Sequence, residues 1–377
     1  MLDRINAVLA QFGAAIRHAI RRIAAWIVFP FVWLWRFFWR QRPLVKIIVA
    51  VILAPWIIGY LHFIWHAAFI RGYDVDYVEA LDIDERQRAP GVQITAATAT
   101  TARACAPSYI AEVSADLIEF NVERNLWMSS NPFYKMGFFF LIDWDRTKFF
   151  DNKASFQRGV HQALQRTLAE LTDTLGRVRG TAEADPDLSV ARGNLQFDQY
   201  TWVFNPFSPR PFGPTTRSSV FYAGAEDALR NFQARLTRCE ASFDTRADNL
   251  LLFLDRVAAD IGSTSALLLE RADSHDSGWF DTRADDYFMY AKGQMYAYYG
   301  ILAAVRADFR EVIESREIAT IWDAMMEQIR RVIDLSPPII SNGREDGLIM
   351  PSHLTAIGFY ILRARSNLVE IRNVLDR

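Results

Sequence analysis

The stretch "DSHDSGWFDTRADDY", Asp273 to Tyr287, gathers His275 with Asp273, Asp276, Asp281, Asp285 and Asp286. Carboxylate-rich clusters favour hard cations such as calcium or magnesium. The spacing here matches neither the EF-hand loop nor an H-E-x-x-H zinc helix. An aspartate ahead of a helical run serves equally well as an N-cap, and acids in the first turn suit the helix dipole. Asp281 is therefore expected to cap a helix that carries Asp285 and Asp286, and no metal is expected.

A second polar cluster is "SNGREDGLIMPSHL", Ser341 to Leu354. Asn342-Gly343 and Asp346-Gly347 are turn dipeptides, and Ser352 stands where an N-cap hydroxyl belongs. Ser352 and His353 are adjacent, so in a first helical turn they face different ways and form no Ser–His pair. Arg344, Glu345 and Asp346 read as a solvated turn. Histidines 18, 62, 66, 161, 275 and 353 sit in no catalytic motif. No phosphate loop, dinucleotide fingerprint or G-x-S-x-G elbow occurs, so no catalytic residue and no cofactor is assigned.

Aromatic side chains offer a different chemistry. Trp202, Phe204 and Phe207 lie in "QYTWVFNPFSPRPFGPTTRSSVFY", and Tyr287, Tyr290 and Tyr296 lie in "DDYFMYAKGQMYAYYGILAAV". A tyrosine presents an apolar face and a polar tip, which suits a glycan or lipid groove. The simpler readings are a lid over a helical core and the core itself. Cys105 and Cys239, the only cysteines, either form a disulfide or remain as two buried thiols.

The elements that must position these groups begin with an asymmetric charge pattern. Residues 1–46 carry eight bases and one acid, residues 47–70 carry no charge, and residues 71–377 hold 34 bases and 43 acids. The run Ile47 to Ile70, 24 residues, exceeds the ~20 that a helix needs to cross a bilayer. Basic flanks stay in the cytoplasm, which predicts an uncleaved signal anchor with its N-terminus inside. Upstream, Ile5, Val8, Leu9, Phe12, Ile16, Ile20 and Ile23 follow helical spacing with Arg17, Arg21 and Arg22 between them. This predicts a basic amphipathic helix on anionic lipids. The apolar run Ile23 to Trp35 is too short to cross comfortably; a second span is the alternative. The acidic remainder would repel phosphate, which excludes nucleic acid as a partner.

Beyond Asp74, helical periodicity dominates. Phe156, Val160, Leu164, Leu168, Leu171, Leu175 and Val178 form one stripe. A longer one runs Leu229, Phe232, Leu236, Cys239, Phe243, Leu250, Leu254, Val257 and Ile261, and a third runs Ile318, Ile321, Met325, Ile329 and Val332. Leu354, Ile357, Ile361, Ala364, Leu368, Ile371 and Leu375 make a bundle seam. Asn131 to Lys153 breaks the pattern, and Phe138 to Phe140 predict a short buried strand or a segment touching lipid. Gln199 to Tyr222 reads as a long proline-rich loop, and Ala182 to Asp187 as a polar break.

The expected fold is mostly α. Residues 1–46 form a basic interfacial segment, 47–70 a transmembrane signal anchor, and 71–377 a periplasmic helical bundle with an irregular aromatic and proline-rich insertion. Three segments also carry a resemblance: "NPFSPRPFGP" (Asn205 to Pro214), "DDYFMYAKGQMYAYYG" (Asp285 to Gly300) and the C-terminal stretch from Ser341. Together they resemble a family of uncharacterised bacterial membrane-anchored proteins, catalogued as a domain of unknown function. The resemblance implies an envelope protein with one N-terminal anchor and carries over no catalytic residue. The expected function is a non-enzymatic scaffold, adaptor or assembly factor at the bacterial inner membrane. Its expected partners are the bilayer and other envelope proteins. The alternative is a periplasmic enzyme or binding protein acting on lipid or cell-wall glycan.

Overall fold

A computed structural model describes residues 22, 29, 32–33, 35–81, 83, 88–95, 104–139, 141–177, 183–203, 215–275, 277–345 and 347–377. The stripe of isoleucines expected on an amphipathic helix lies outside these residues, as do most of Ile23 to Trp35 and the motif Asn205 to Pro214. The chain divides into two compact units, Met1–His62 and Phe63–Arg377.

Most of the first unit's described residues belong to helix α1, Pro43–Ala68, which runs on into the second unit. Proline at its first position needs no amide partner. The helix has a mean hydropathy of 2.3 over its most apolar stretch, and almost none of that stretch is buried. Ile47, Val51, Ile58 and Leu61 all stand exposed. Such a helix is long and apolar enough to cross a membrane. It begins before the uncharged run and ends two residues short of it, at Ala68 rather than Ile70.

The second unit is mostly helical among its described residues. A small antiparallel pair, β1 (Gln93–Thr95) and β2 (Ala104–Cys105), precedes helix α2, Tyr109–Ile118. A short helix α3 (Pro132–Lys135) leads to α4 (Asn152–Glu170). Then follow α5 (Pro186–Leu195), α6 (Ser218–Thr237), α7 (Ala247–Ser274) and α8 (Ala284–Asp308). The chain closes with α9 (Arg310–Ser315), α10 (Ala319–Asp334) and α11 (His353–Leu375).

Helix α8 is the hub, packing against α2, α4, α7, α10 and α11. It is buried on nearly every side, from Phe288 and Ala291 to Ala304 and Val305, as befits a helix with small and aromatic residues all round. Its tightest neighbour is α4. A Cβ at Gly159 would land on the Tyr290 carbonyl, and one at Gly293 on the Phe156 carbonyl. The two backbones meet only because both positions lack a side chain. Asp260 of α7 ties the crossing together by accepting from Gln162 (2.8 Å), Gln294 (2.7 Å) and the Tyr298 hydroxyl (2.7 Å).

Several expectations change at this level. The long stripe from Leu229 to Ile261 is two helices, broken at residues 238–246, where Cys239 takes a left-handed backbone at φ 63°. Phe138 and Phe139 are 43% and 45% exposed around a tight turn closed by a Phe138–Ile142 bridge, so no buried strand forms there. The helix expected to start at Asp281 starts at Ala284, with Arg283 in the cap position. Within Gln199 to Tyr222 the described residues 199–203 and 215–217 lie outside any helix, and α6 begins at Ser218. The two ends face each other through the Thr215 N–H to the Val203 carbonyl at 2.9 Å and the Ser218 N–H to the Thr201 carbonyl at 3.1 Å.

Candidate functional site

The α4–α8 crossing opens on one side into a cleft of about 390 Å³. Tyr287 and Tyr290 line it from α8, one turn apart on the same face. Asp286 and Arg283 join them, Arg158 comes from α4, and Asp145 and Tyr200 come from the loops on either side. Tyr296 faces away. It is six residues beyond Tyr290, buried among Tyr73, Tyr77, Phe120 and Phe156. Trp202 does not line the cleft, and Phe204 and Phe207 lie outside the described residues.

The polar groups of the cleft are wired to one another. The Ser155 hydroxyl donates to Asp286 at 2.5 Å, and Arg158 donates to the Ser155 oxygen at 2.8 Å and to the Tyr200 hydroxyl at 3.2 Å. Lys135 sits over the Tyr200 ring at 4.3 Å. The Tyr134 hydroxyl donates to Asp145. Burial pushes the Asp286 carboxyl up from the ordinary range, against the pull of the Ser155 hydrogen bond and Arg158. Burial likewise lifts the Tyr290 hydroxyl to about 12, so it stays protonated and able to donate.

Near Asp286 two carboxyls are almost fully buried without hydrogen-bond partners, Asp151 and Asp285. Burial, with the charges of Asp286 and Asp285 beside it, raises Asp151 to about 9. Burial and Asp286 raise Asp285 to about 7. Carboxyls in this setting hold their protons near neutral pH.

The other polar clusters are structural. Asp281 is enclosed by Arg271, by the Asn342 side-chain amide at 3.0 Å and by the Arg283 N–H at 3.1 Å. These partners hold its carboxyl below the usual range even though burial works the other way. Its role is to lock the loop after α7 to Asn342. Among the described residues no three His, Cys, Asp or Glu side chains gather around a common point.

Ser352 caps α11 by accepting from the Thr355 N–H at 3.3 Å. His353 pairs instead with Ser341, at 3.0 Å. That pair has the wrong polarity for a nucleophile. The Ser341 hydroxyl donates to the Pro351 carbonyl at 2.5 Å, while the Ser341 N–H donates to His353 Nδ1 at 3.0 Å. The ring nitrogen nearest the hydroxyl is already occupied as an acceptor, and Ser341 is fully buried. The Cys105 and Cys239 sulfurs are bonded, with Cα atoms 5.3 Å apart.

A family profile described as an uncharacterized protein conserved in bacteria (DUF2333) matches residues 135–278 and 269–377. The chain is a member of DUF2333. No curated protein and no solved structure matches it. The two matched segments of this DUF2333 protein each contain one helix of the crossing, α4 in the first and α8 in the second.

The sequence offered Tyr287 and Tyr290 as candidate binding residues and Asp286 as part of an acidic cluster. It missed Arg158 and Tyr200. Arg158 sits between stripe positions Phe156 and Val160, where an arginine looks merely solvent-facing; only the crossing reveals what it faces.

Proposed function

We propose that this DUF2333 protein is a non-enzymatic scaffold that binds cell-wall glycan while anchored in the bacterial inner membrane. In this reading residues 1–46 are a basic interfacial segment on anionic lipids, 47–70 the signal anchor, and 71–377 a periplasmic domain. The proline-rich irregular insertion of this reading contributes Tyr200 to the cleft. The membrane part is supported by the one helix among the described residues that is long and apolar enough to span a bilayer, and by the basic residues before it.

The observation that carries the binding function is the cleft. Tyr200, Tyr287 and Tyr290 offer flat faces with hydroxyl tips, Asp145 and Asp286 accept, and Arg158 and Arg283 donate. Rings over which a sugar stacks, with paired acceptors and donors at the edge, suit a polyhydroxylated ligand. The Ser155 hydroxyl that donates to Asp286 is fully buried and does not line the cleft, so it is not presented to a ligand there, which favours binding over catalysis.

The test is co-sedimentation of the purified full-length protein with insoluble cell-wall glycan. Wild type is expected in the pellet, and Tyr290→Ala and Asp286→Asn in the supernatant at unchanged unfolding temperature. Equal sedimentation of all three would sink the reading. Topology is tested separately: alkaline phosphatase fused after Arg377 should be active, and a well-expressed inactive fusion overturns the periplasmic placement.

A further inference from the structure

A second cavity, of about 500 Å³, opens at the C-terminal end of α1, bordered by Ala67, Ala68 and Phe69. It holds two nearly buried lysines. Lys153 of α4 is 1% exposed and Lys292 of α8 is 6% exposed. The Lys153 ammonium donates to the carbonyls of His66 (2.9 Å) and Phe69 (3.0 Å), capping the negative end of the helix. The Lys292 ammonium donates to the Leu335 carbonyl (2.6 Å) and the Ser336 hydroxyl (3.0 Å), with the Tyr73 ring 5.0 Å away.

An ammonium has three N–H donors, and each of these two has one left over. Among the described residues neither lysine makes an ion pair. The charge acting on Lys153 is another cation, Arg71, and on Lys292 it is the distant Asp334 carboxylate. Two buried ammonium groups that face one open cavity, each with a donor left over and neither in an ion pair among the described residues, suit an anion.

The walls say which anion. Phe69, Ile70, Phe149 and Phe150 supply apolar lining. An aromatic chain runs from that lining toward the spanning helix: Phe150 to Trp144 at 5.2 Å, and Trp144 to Phe63 of α1 at 5.1 Å. Trp144 also touches Phe138, in the turn that exposes Phe139, Leu141 (82% exposed) and Ile142. Phe149, at the cavity mouth, is 59% exposed. Exposed apolar side chains clustered at the end of a bilayer-length helix belong at a lipid surface. The cavity then sits at headgroup depth.

We propose that this cavity binds the phosphate of a phospholipid headgroup between Lys153 and Lys292, with the lipid's glycerol and chains along the phenylalanine wall. The site is separate from the tyrosine cleft, and the proposal rests only on α1 crossing the bilayer.

The full-length protein in detergent is titrated with dihexanoyl phosphatidylglycerol, with dihexanoylglycerol and inorganic phosphate as parallel arms. The micelle assay is blind to topology, so its failure and that of the phosphatase fusion are distinguishable. The phospholipid should bind saturably, dihexanoylglycerol at least tenfold more weakly, and inorganic phosphate should compete only at tenfold higher concentration or more. Lys292→Met should weaken phospholipid binding at least tenfold without lowering the unfolding temperature. Lys153→Met should do the same, but it also uncaps α1, so Lys292→Met decides the matter. Unchanged affinity in Lys292→Met, or equal binding of dihexanoylglycerol, overturns the phosphate site. Inorganic phosphate competing as well as the lipid would assign the cavity to a soluble anion and overturn the lipid source.

Discussion

Gly293→Ala should destabilise the protein although alanine is the better helix former. At an open helix position the change from glycine to alanine gains about 1 kcal/mol. At Gly293 the new methyl would meet the Phe156 backbone carbonyl of α4. A carbonyl cannot rotate away as a side chain can, so the helices must separate. Overpacking costs about 1–3 kcal/mol, and a backbone obstacle puts this site at the upper end. The net loss is therefore about 2 kcal/mol. Gly193, in α5 and with nothing within 4 Å of where a methyl would stand, is the matched control and should gain about 1 kcal/mol on the same change. The assay is urea unfolding of the full-length protein in detergent, followed by tryptophan fluorescence, with Trp127 and Trp322 as buried reporters. The two variants should differ by about 3 kcal/mol with opposite signs. Adding Gly159→Ala to Gly293→Ala should cost less than the sum, since one intrusion already parts the helices. If Gly293→Ala stabilises as Gly193→Ala does, the backbone contact is wrong and so is the geometry of the cleft built on it.

Breaking the Cys105–Cys239 bond, which closes a loop across 134 positions, should cost up to about 5 kcal/mol by chain entropy. Unfolding of wild type and Cys105→Ser, each with and without reductant, measures it; identical curves would remove the bond from the account. Asp285 gives a pH dependence of defined sign. Its carboxyl rises from 3.8 to about 7 on burial, so the unfolded chain ionises first. Stability from this group is complete below pH 4 and lost as pH rises to 7, by roughly 4 kcal/mol. Asp285→Asn should raise the urea midpoint more at pH 8 than at pH 5, and an equal shift at both pH values would contradict the buried, protonated carboxyl.

Much of this architecture is legible in the sequence because burial leaves a periodic trace. Every residue of the seam from Leu354 to Leu375 is buried, and Ser352 caps it. Local rules of spacing and capping suffice for such an element. They fail where the answer depends on a partner far along the chain. Tyr290 and Tyr296 look alike in sequence, yet one lines a cleft and the other fills the core, because the register of α8 against α4 separates them. Asp281 looks like a cap until Arg271 and Asn342 arrive to claim it. The phenylalanines after Gly137 look like a core strand; nothing in their order says that the segment turns outward. Lys153 and Lys292 carry no mark in the sequence, since a lone lysine on a helix ordinarily means solvent.

The helix crossing also governs when the cleft comes into being. Its two walls come from distant parts of the chain, and such contacts form only after the entropy of closing the intervening loop has been overcome. Helices α4 and α8 can each flicker into existence early, but Arg158 meets Asp286 only when the whole intervening span has folded back. No folding intermediate that lacks the crossing presents a cleft. Any molecule that bound the cleft would bind the folded protein alone and draw the folding equilibrium toward it by mass action.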